Sequence, residues 1–426
     1  MSDYPAAIPN VMADIEVHID FAPGLKRVGT LHRRARRGAE AVSFEYHATW
    51  LQDPTCFSLE PALALGRGAF VPDDGSRIFG SIGDSAPDTW GRRLMQRAER
   101  RQAERDKRTV RTLQEIDYLL GVSDVSRLGA LRFRPVGTEI FQAASSVGVP
   151  PVLELRRLLA ITERVLRDQE TDEDLAVIFA PGSSLGGARP KASVIDQQGH
   201  LCIAKFPKET DEYSVELWES IAFVLANRAG IRTPEHEIAR VAKRPIMLSR
   251  RFDRAPQTRV PFLSALSMLG FKDGERGSYP ELVDVLTLHG AEATEDAHEL
   301  YRRMVFNVLI SNVDDHLRNH GFLWSGRNGW RLSPVYDLNP TPQDVRPRIL
   351  TTNITLDEAT CDLDLVLSTA EFFRLGLRDA KAIAKDVAKA ASGWRDTATA
   401  AGAAQSEIRR MASAFEHNDM TRALAL

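Results

Sequence analysis

Two aspartates, two histidines and two asparagines crowd the nine positions from Asn312 to His320, within ISNVDDHLRNHGFLW (310–324), directly after a long apolar run. A third acid, Asp337, follows in SPVYDLNP (333–340). Phosphoryl transfer needs few protein groups: one to position and deprotonate the attacking hydroxyl, hard oxygens for Mg²⁺, and a cation on the phosphates. Asp314 suits the first role, and Asn319 with Asp337 suits the second. Asp, four residues, Asn, a short hairpin and Asp is the order of kinase catalytic and metal-binding loops. Two other readings compete. Asp and Asn favour caps and turns in any protein. Asp314, Asp315, His316 and His320 are also residue types that ligate a transition metal, although no further acid–His motif completes such a site.

A second set of groups lies upstream. GSSLGGARPKASV (182–194) precedes a predicted strand, and its small residues leave backbone N–H groups open to phosphate oxygens. It is no Walker A loop, because no GK[ST] and no helix follow; an ordinary surface turn is the plainer reading. Lys205 sits in the apolar strand LCIAKF, where a lysine is rarely buried without a partner. It reads as a phosphate ligand held by Glu219 or Glu216 on the next helix, or as a charged guard on an edge strand.

These residues must be carried by particular elements. HELYRRMVFNVLIS (298–311) is amphipathic and predicts a buried helix, with Asn312 at its C-terminus. On a continuous helix Asp314 and Asn319 would point about 140° apart, so they converge only from an irregular loop. GFLW, SGRNG and WRLS predict a hairpin over 321–333. Upstream, KASVID, the turn QQG and LCIAKF predict two strands. A helix is expected over 214–229, then strands at EHEIARVA and PIMLSRRF. From about residue 260 the pattern is otherwise helical throughout.

The N-terminal part reads as β-rich: IEVHIDF (15–21) and VSFEYHATWL (42–51) predict strands, and LGALRFRP (128–135) another. Ser85-Ala-Pro-Asp-Thr predicts a helix start, TLQEIDYLLG (112–121) and VLELRRLLAITERVL (152–166) predict helices, and SSVGVPP (145–151) a linker. A β-rich half followed by an α-rich half gives an α+β class with more than one domain.

The 426 residues carry 55 basic and 58 acidic side chains, so nothing pulls the whole chain toward nucleic acid or membrane. The basic runs HRRARR (32–37) and RRLMQRAERRQAERDKR (92–108) read as solvated faces. Cys56, Cys202 and Cys361 are far apart and form no CxxC, which excludes a disulfide framework and a zinc site of that type. No window approaches the roughly 20 apolar residues of a membrane span, and the first residues lack a signal-peptide pattern. A cytoplasmic location is expected.

SSLGGARPK, AKFP, SRRFDR, NVDDHLRNHGF and LSPVYDL resemble the HipA serine/threonine kinases, toxins of HipBA-type toxin–antitoxin modules. KRVGTL, FEYHATWL and GSIGDSAPDTWGRRLM resemble that family's N-terminal domain, so the likeness covers about 15 to 390. It implies a two-part protein: a β-rich N-terminal domain with helices (1–145), and a kinase-like core of a small lobe with the glycine loop (146–254) and a helical large lobe with the catalytic loop (255–426). It implies ATP and Mg²⁺ as cofactors. Asp314 then matches the catalytic base, Asn319 and Asp337 the metal ligands, and Lys205 the ATP-phosphate lysine. Gly186, Gly187 and Ser184 match the nucleotide loop, and Phe252 falls near the segment that holds adenine. Ser184, or its neighbour Ser183, matches the serine that family members autophosphorylate. A small helix-turn-helix HipB-like antitoxin is the implied partner, through which DNA is reached indirectly. A protein is the implied substrate, in the family an aminoacyl-tRNA synthetase. The chain departs from the best-known members at Arg250 and at VPFLSALSML (260–269). A lipid or small-molecule kinase on the same core, and a non-catalytic regulator of a DNA-bound antitoxin, are the alternatives.

Overall fold

The computed structural model describes residues 14–22, 24–36, 39–73, 75–141, 148–179, 187–256 and 258–426. The chain forms two compact units. The first is Met1–Glu209 with Arg240–Leu263; the second is Thr210–Ala239 with Ser264–Leu426.

The first unit contains a five-stranded antiparallel sheet. Its order is Ala69–Phe70, Ala39–Tyr46, Gly24–Arg36, Ile15–Phe21 and Leu131–Pro135. In IEVHIDF the period-two alternation puts Ile15, Val17, Ile19 and Phe21 on one buried face. Phe21, Trp50 and Phe57 stack edge to face beside it. Gly29 is required where strands approach closely, since a Cβ there would lie 2.3 Å from the Glu45 carbonyl oxygen. The expected strand over 42–51 is only half strand. It ends at Tyr46, and His47 caps a short helix, Ala48–Leu51, by accepting from the Thr49 N–H.

The predicted helix start at 85–89 is found, with Asp88 as its cap. The Asp88 carboxylate accepts from Gly91 N at 2.7 Å, and the helix runs Thr89–Arg105. Part of its basic run is paired with acids. Arg92 pairs with Glu115, Arg97 with Glu170, and Arg101 and Arg105 with Asp172. Helices Glu115–Gly121 and Leu155–Leu166 stand where predicted. The linker expected at 145–151 lies partly outside the described residues. A second antiparallel ladder joins Lys191–Ile195 to Leu201–Lys205 and that strand to Arg244–Arg250.

The second unit is helical around one hairpin. In Val215–Arg228, Leu217, Trp218, Ile221 and Leu225 are buried, with Trp218, Trp394 and Phe415 forming an aromatic cluster. The long helix is Ala293–Leu309, which buries Leu300, Met304, Val305 and Val308. The hairpin pairs Gly321–Trp324 with Trp330–Leu332. Helices Leu377–Ser392 and Gln405–Phe415 follow. One expectation fails here. Residues 334–362 contain neither helix nor strand beyond isolated bridges. Pro334, Pro340, Pro342 and Pro347 explain the first half of this stretch, because proline lacks the N–H that a helix interior needs. No described helix is long and apolar enough to cross a membrane.

Candidate active site

The Ala293–Leu309 helix ends two residues before the expected position. Ser311, with φ +53°, takes the left-handed place after the cap; Asn312 N bonds back to Asn307 O at 2.9 Å and Ser311 N to Val308 O at 3.4 Å. This is a Schellman closure made with serine instead of glycine or asparagine. It turns the chain out of the helix, so Asp314 leaves on an irregular stretch. A single 3₁₀ turn, Leu317–Asn319, follows.

Asn319 is held from two sides. Its backbone N–H bonds to His316 O at 2.7 Å, and its Nδ2 donates to the Asp314 carbonyl at 2.8 Å. That amide bond fixes the side chain so that Oδ1 is left buried with no hydrogen-bond partner. A buried acceptor without a donor is costly, and such an atom is explained by a water or cation that completes it. The Asp314 side chain is about half exposed, and its Oδ1 lies 3.2 Å from Arg346 Nη1.

The chain then returns to the same place. After the hairpin, the Tyr336 hydroxyl donates to Arg318 O at 2.8 Å, Asn339 N donates to Asn312 Oδ1 at 3.1 Å, and Thr341 N donates to Ser311 O at 3.1 Å. Asp337 lies between the first two of these rungs. The structure therefore brings the Asp337 segment against the 312–319 loop. Asp337 itself is left-handed, φ +54°, and its N–H donates to Glu219 Oε1 at 3.0 Å. Glu219 and Glu216 are each 1% exposed on the first turns of the Val215–Arg228 helix.

Beside the loop lies a small cavity with a mostly apolar lining, Phe306, Val335 and Leu338 among it, into which Asn307, Asn312, Asp315 and Asn319 also reach. Its polar groups form a chain of bonds. Asp315 Oδ1 accepts from Thr351 N (2.9 Å) and Thr352 N (3.2 Å), and Oδ2 accepts from the Tyr279 hydroxyl (2.8 Å). The Tyr279 oxygen accepts from Asn307 Nδ2, and Asn307 Oδ1 from Asn312 Nδ2, both at 3.0 Å. Burial pushes the Asp315 carboxyl up to about 6, against the opposing pull of these donors. Burial pushes His320 down to about 3, so its imidazole is neutral near pH 7. His320 Nε2 lies 3.1 Å from the Asp315 carbonyl oxygen. Asp315 and His320 are thus committed to holding the loop, and no cluster of three metal-ligating His, Cys, Asp or Glu occurs among the described residues. The transition-metal reading loses its ligands.

The remaining predicted groups lie in the first unit. Lys205 is half-buried at the end of Leu201–Lys205, directly across the ladder from Lys191 on one side and Met247 on the other. The half-buried Phe252 has its ring 6.3 Å from that of Phe262. Gly187, φ +109°, is described; Ser183, Ser184 and Gly186 lie outside the described residues. In SRRFDR the charges do structural work. The Asp253 carboxylate, 1% exposed, accepts from Gly129 N at 2.6 Å and pairs with Arg251 and Arg254. Burial raises its pKa, but the two guanidiniums prevail and hold it at about 2. Sequence reasoning missed Asn307, Tyr279, Thr351 and Thr352; only Asn312 and Asp315 gave a signal, as members of the polar cluster.

The chain is of α+β architecture, with the returning acid segment bonded to the loop after the long helix. The HipA-like C-terminal domain family matches residues 183–395, half of the chain, and the chain belongs to that family. Its backbone is similar to HipA from a complex of HipA, HipB and operator DNA of a Shewanella oneidensis toxin–antitoxin system. The TM-score there is 0.63 at 18% identity, covering 96% of each chain. A Sinorhizobium fredii protein named "Putative kinase Y4dM" is 37% identical over 95 residues, 22% of this chain and 23% of that protein. A Haemophilus influenzae protein named "Putative kinase" is 23% identical over 189 residues, 38% of this chain and 54% of that protein. The matches thus span about a quarter and about half of those relatives' lengths.

Proposed function

We propose that the protein is an ATP- and Mg²⁺-dependent protein serine/threonine kinase. The observation that carries this reading is the set of rungs that holds Asp337 against the Asp314–Asn319 loop. The donor set suits magnesium: a neutral amide oxygen left without a donor, and a carboxylate on a fixed turn, are hard ligands that leave room for phosphate oxygens and water. Bound Mg²⁺ supplies charge neutralisation at the phosphates. The chain supplies the rest. Asp314, half exposed, orients the acceptor hydroxyl and takes up its proton. Asn319 and Asp337 hold the cation, and Asn319 also fixes the Asp314 backbone. Lys205 places an ammonium on the phosphates, where fixed charge counts most as the bond breaks. Gly186 and Gly187 offer backbone N–H groups to phosphate oxygens, and Phe252 lines the adenine site.

On the family pattern, residues 1–145, 146–254 and 255–426 act as N-terminal domain, small lobe and large lobe. The chain autophosphorylates at Ser184, with Ser183 as the alternative, and a dianionic phosphate there repels ATP from its own loop. It works in the cytoplasm with a HipB-like antitoxin as partner and a protein as substrate. The likeness to HipA of a HipA–HipB–operator complex supports that partner. Intact-mass and peptide mass spectrometry, with and without ATP and Mg²⁺, tests the reading. A phosphate on the 182–187 peptide that depends on both is expected. An unmodified chain that also modifies no protein in a cell extract overturns it.

A further inference from the structure

The APDTWG stretch resembles a motif of the family's N-terminal domain, yet the proposed reaction gives it no task. In the structure it grips the far end of the glycine-rich stretch. Trp90 N donates to Gly187 O at 3.3 Å, and Trp90 Nε1 donates to Lys191 O at 3.1 Å. Lys191 Nζ lies 2.9 Å from Asp88 Oδ2, and both side chains are 3% exposed. The other Asp88 oxygen caps the Thr89–Arg105 helix through Gly91 N. One carboxylate therefore joins the start of a 17-residue helix to the start of the Lys191–Ile195 strand.

The fit at Gly187 is close. Its φ is +109°, and a Cβ would lie 3.1 Å from Lys191 Nζ. Lys191 is the direct cross-strand neighbour of Lys205. Side chains of directly opposed residues leave the same face of a ladder, and like charges placed so repel. Asp88 neutralises one member of that pair. A buried ion pair is weak evidence for stability, because apolar or neutral groups of similar shape hold a fold as well. Its placement here, between a glycine-rich stretch and a phosphate-binding lysine, is better explained by positioning.

We propose that Asp88 and Trp90 are positioning residues for nucleotide phosphates. They fix Gly187 and Lys191, and through them the strand pair that carries Lys205. This rests on the kinase reading, and it assigns the start of the Thr89–Arg105 helix a positioning part in nucleotide binding.

The experiment compares ATP and adenosine binding by calorimetry in the full chain. The variants are Trp90→Phe, which keeps the ring and removes the indole donor, and the double variant Asp88→Asn with Lys191→Met. The double change removes both charges of this pair, whereas the single Asp88→Asn keeps the buried Lys191 ammonium and takes away its Asp88 carboxylate. Thermal unfolding checks that each variant folds. The expected result is ATP affinity lowered about ten-fold, the loss of roughly one good hydrogen bond's worth of alignment, with adenosine affinity within about two-fold of wild type. Equal losses for ATP and adenosine, or no loss for either, overturn the proposal and leave the kinase reading standing. Wild-type protein that binds neither ligand overturns both.

Discussion

The backbone N–H of Asp337 donates to the carboxylate of Glu219 at 3.0 Å, across 118 positions of sequence. This bond holds a non-glycine residue at φ +54°, a conformation that costs an L-residue roughly 1–2 kcal/mol. Val335 N donates to Arg232 O at 2.9 Å, so the segment before Asp337 is tied to the exit of the same helix. The sequence reading assigns Glu219, or Glu216, to Lys205; the bond to Asp337 N gives Glu219 a task at the proposed metal ligand as well. Glu219→Ala should therefore lower Mg²⁺ or Mn²⁺ affinity about ten-fold, while Glu219→Gln, whose Oε1 still accepts, should keep it. Metal titration by calorimetry separates them; equal weakening in both would show that charge, not the backbone bond, matters.

Asp315 gives a pH signature. Its ordinary value of 3.8 is raised to about 6 in the fold. Between those values the unfolded chain is ionised at this position while the folded chain holds its proton. The group therefore favours the folded state fully below pH 3.8, and this contribution is lost as pH rises through 6. Two pKa units correspond to about 3 kcal/mol. His320, lowered from 6.5 to about 3, acts in the opposite sense and loses stability as pH falls. The difference in unfolding free energy between wild type and Asp315→Asn should shift by about 2 kcal/mol between pH 4 and 6.5, most of that span. Urea denaturation at both pH values measures it, and a pH-independent difference would refute the buried-acid assignment.

Asn319→Leu separates function from stability. It removes one bond to Asp314 O and also one buried acceptor without a donor. These effects oppose each other, so unfolding free energy should change by less than about 1 kcal/mol. Divalent-cation binding should vanish. A large loss of stability with metal binding intact would make Asn319 a structural residue.

Arg346 and Asp314 form an exposed ion pair, with side chains 56% and 51% accessible. Such pairs contribute little, so Arg346→Ala should alter unfolding free energy by under about 0.5 kcal/mol. Phosphate transfer should proceed at least as fast, because the Asp314 carboxylate loses a competitor for the acceptor hydroxyl. A turnover ten-fold lower would place Arg346 in contact with the substrate.

Local signals made part of this legible. The apolar period of 298–311, the glycine turn of the hairpin and the alternation of IEVHIDF each sit within a few residues, and each element formed. The order of Asp314, Asn319 and Asp337 also needed no long-range information. The helix at Ala48–Leu51 was hidden because HATWL has strand-like residues and its cap is an uncommon histidine. The support beneath the loop was not legible. Tyr279 and Thr351 each meet Asp315 from 36 positions away, and Asp88 meets Lys191 from 103 away, with no repeating pattern to mark either. Asp315 looked like a second site acid beside Asp314; only burial shows that one faces inward and the other outward.

The most direct measurement is transfer of the labelled γ-phosphate of ATP to protein by wild type, Asp314→Asn and Asp337→Asn, with each fold checked by thermal unfolding. The account predicts Mg²⁺-dependent labelling by wild type and a loss of at least about a thousand-fold in both variants, as expected when a reaction loses its base or its metal ligand. Labelling at the wild-type rate by either folded variant would contradict it.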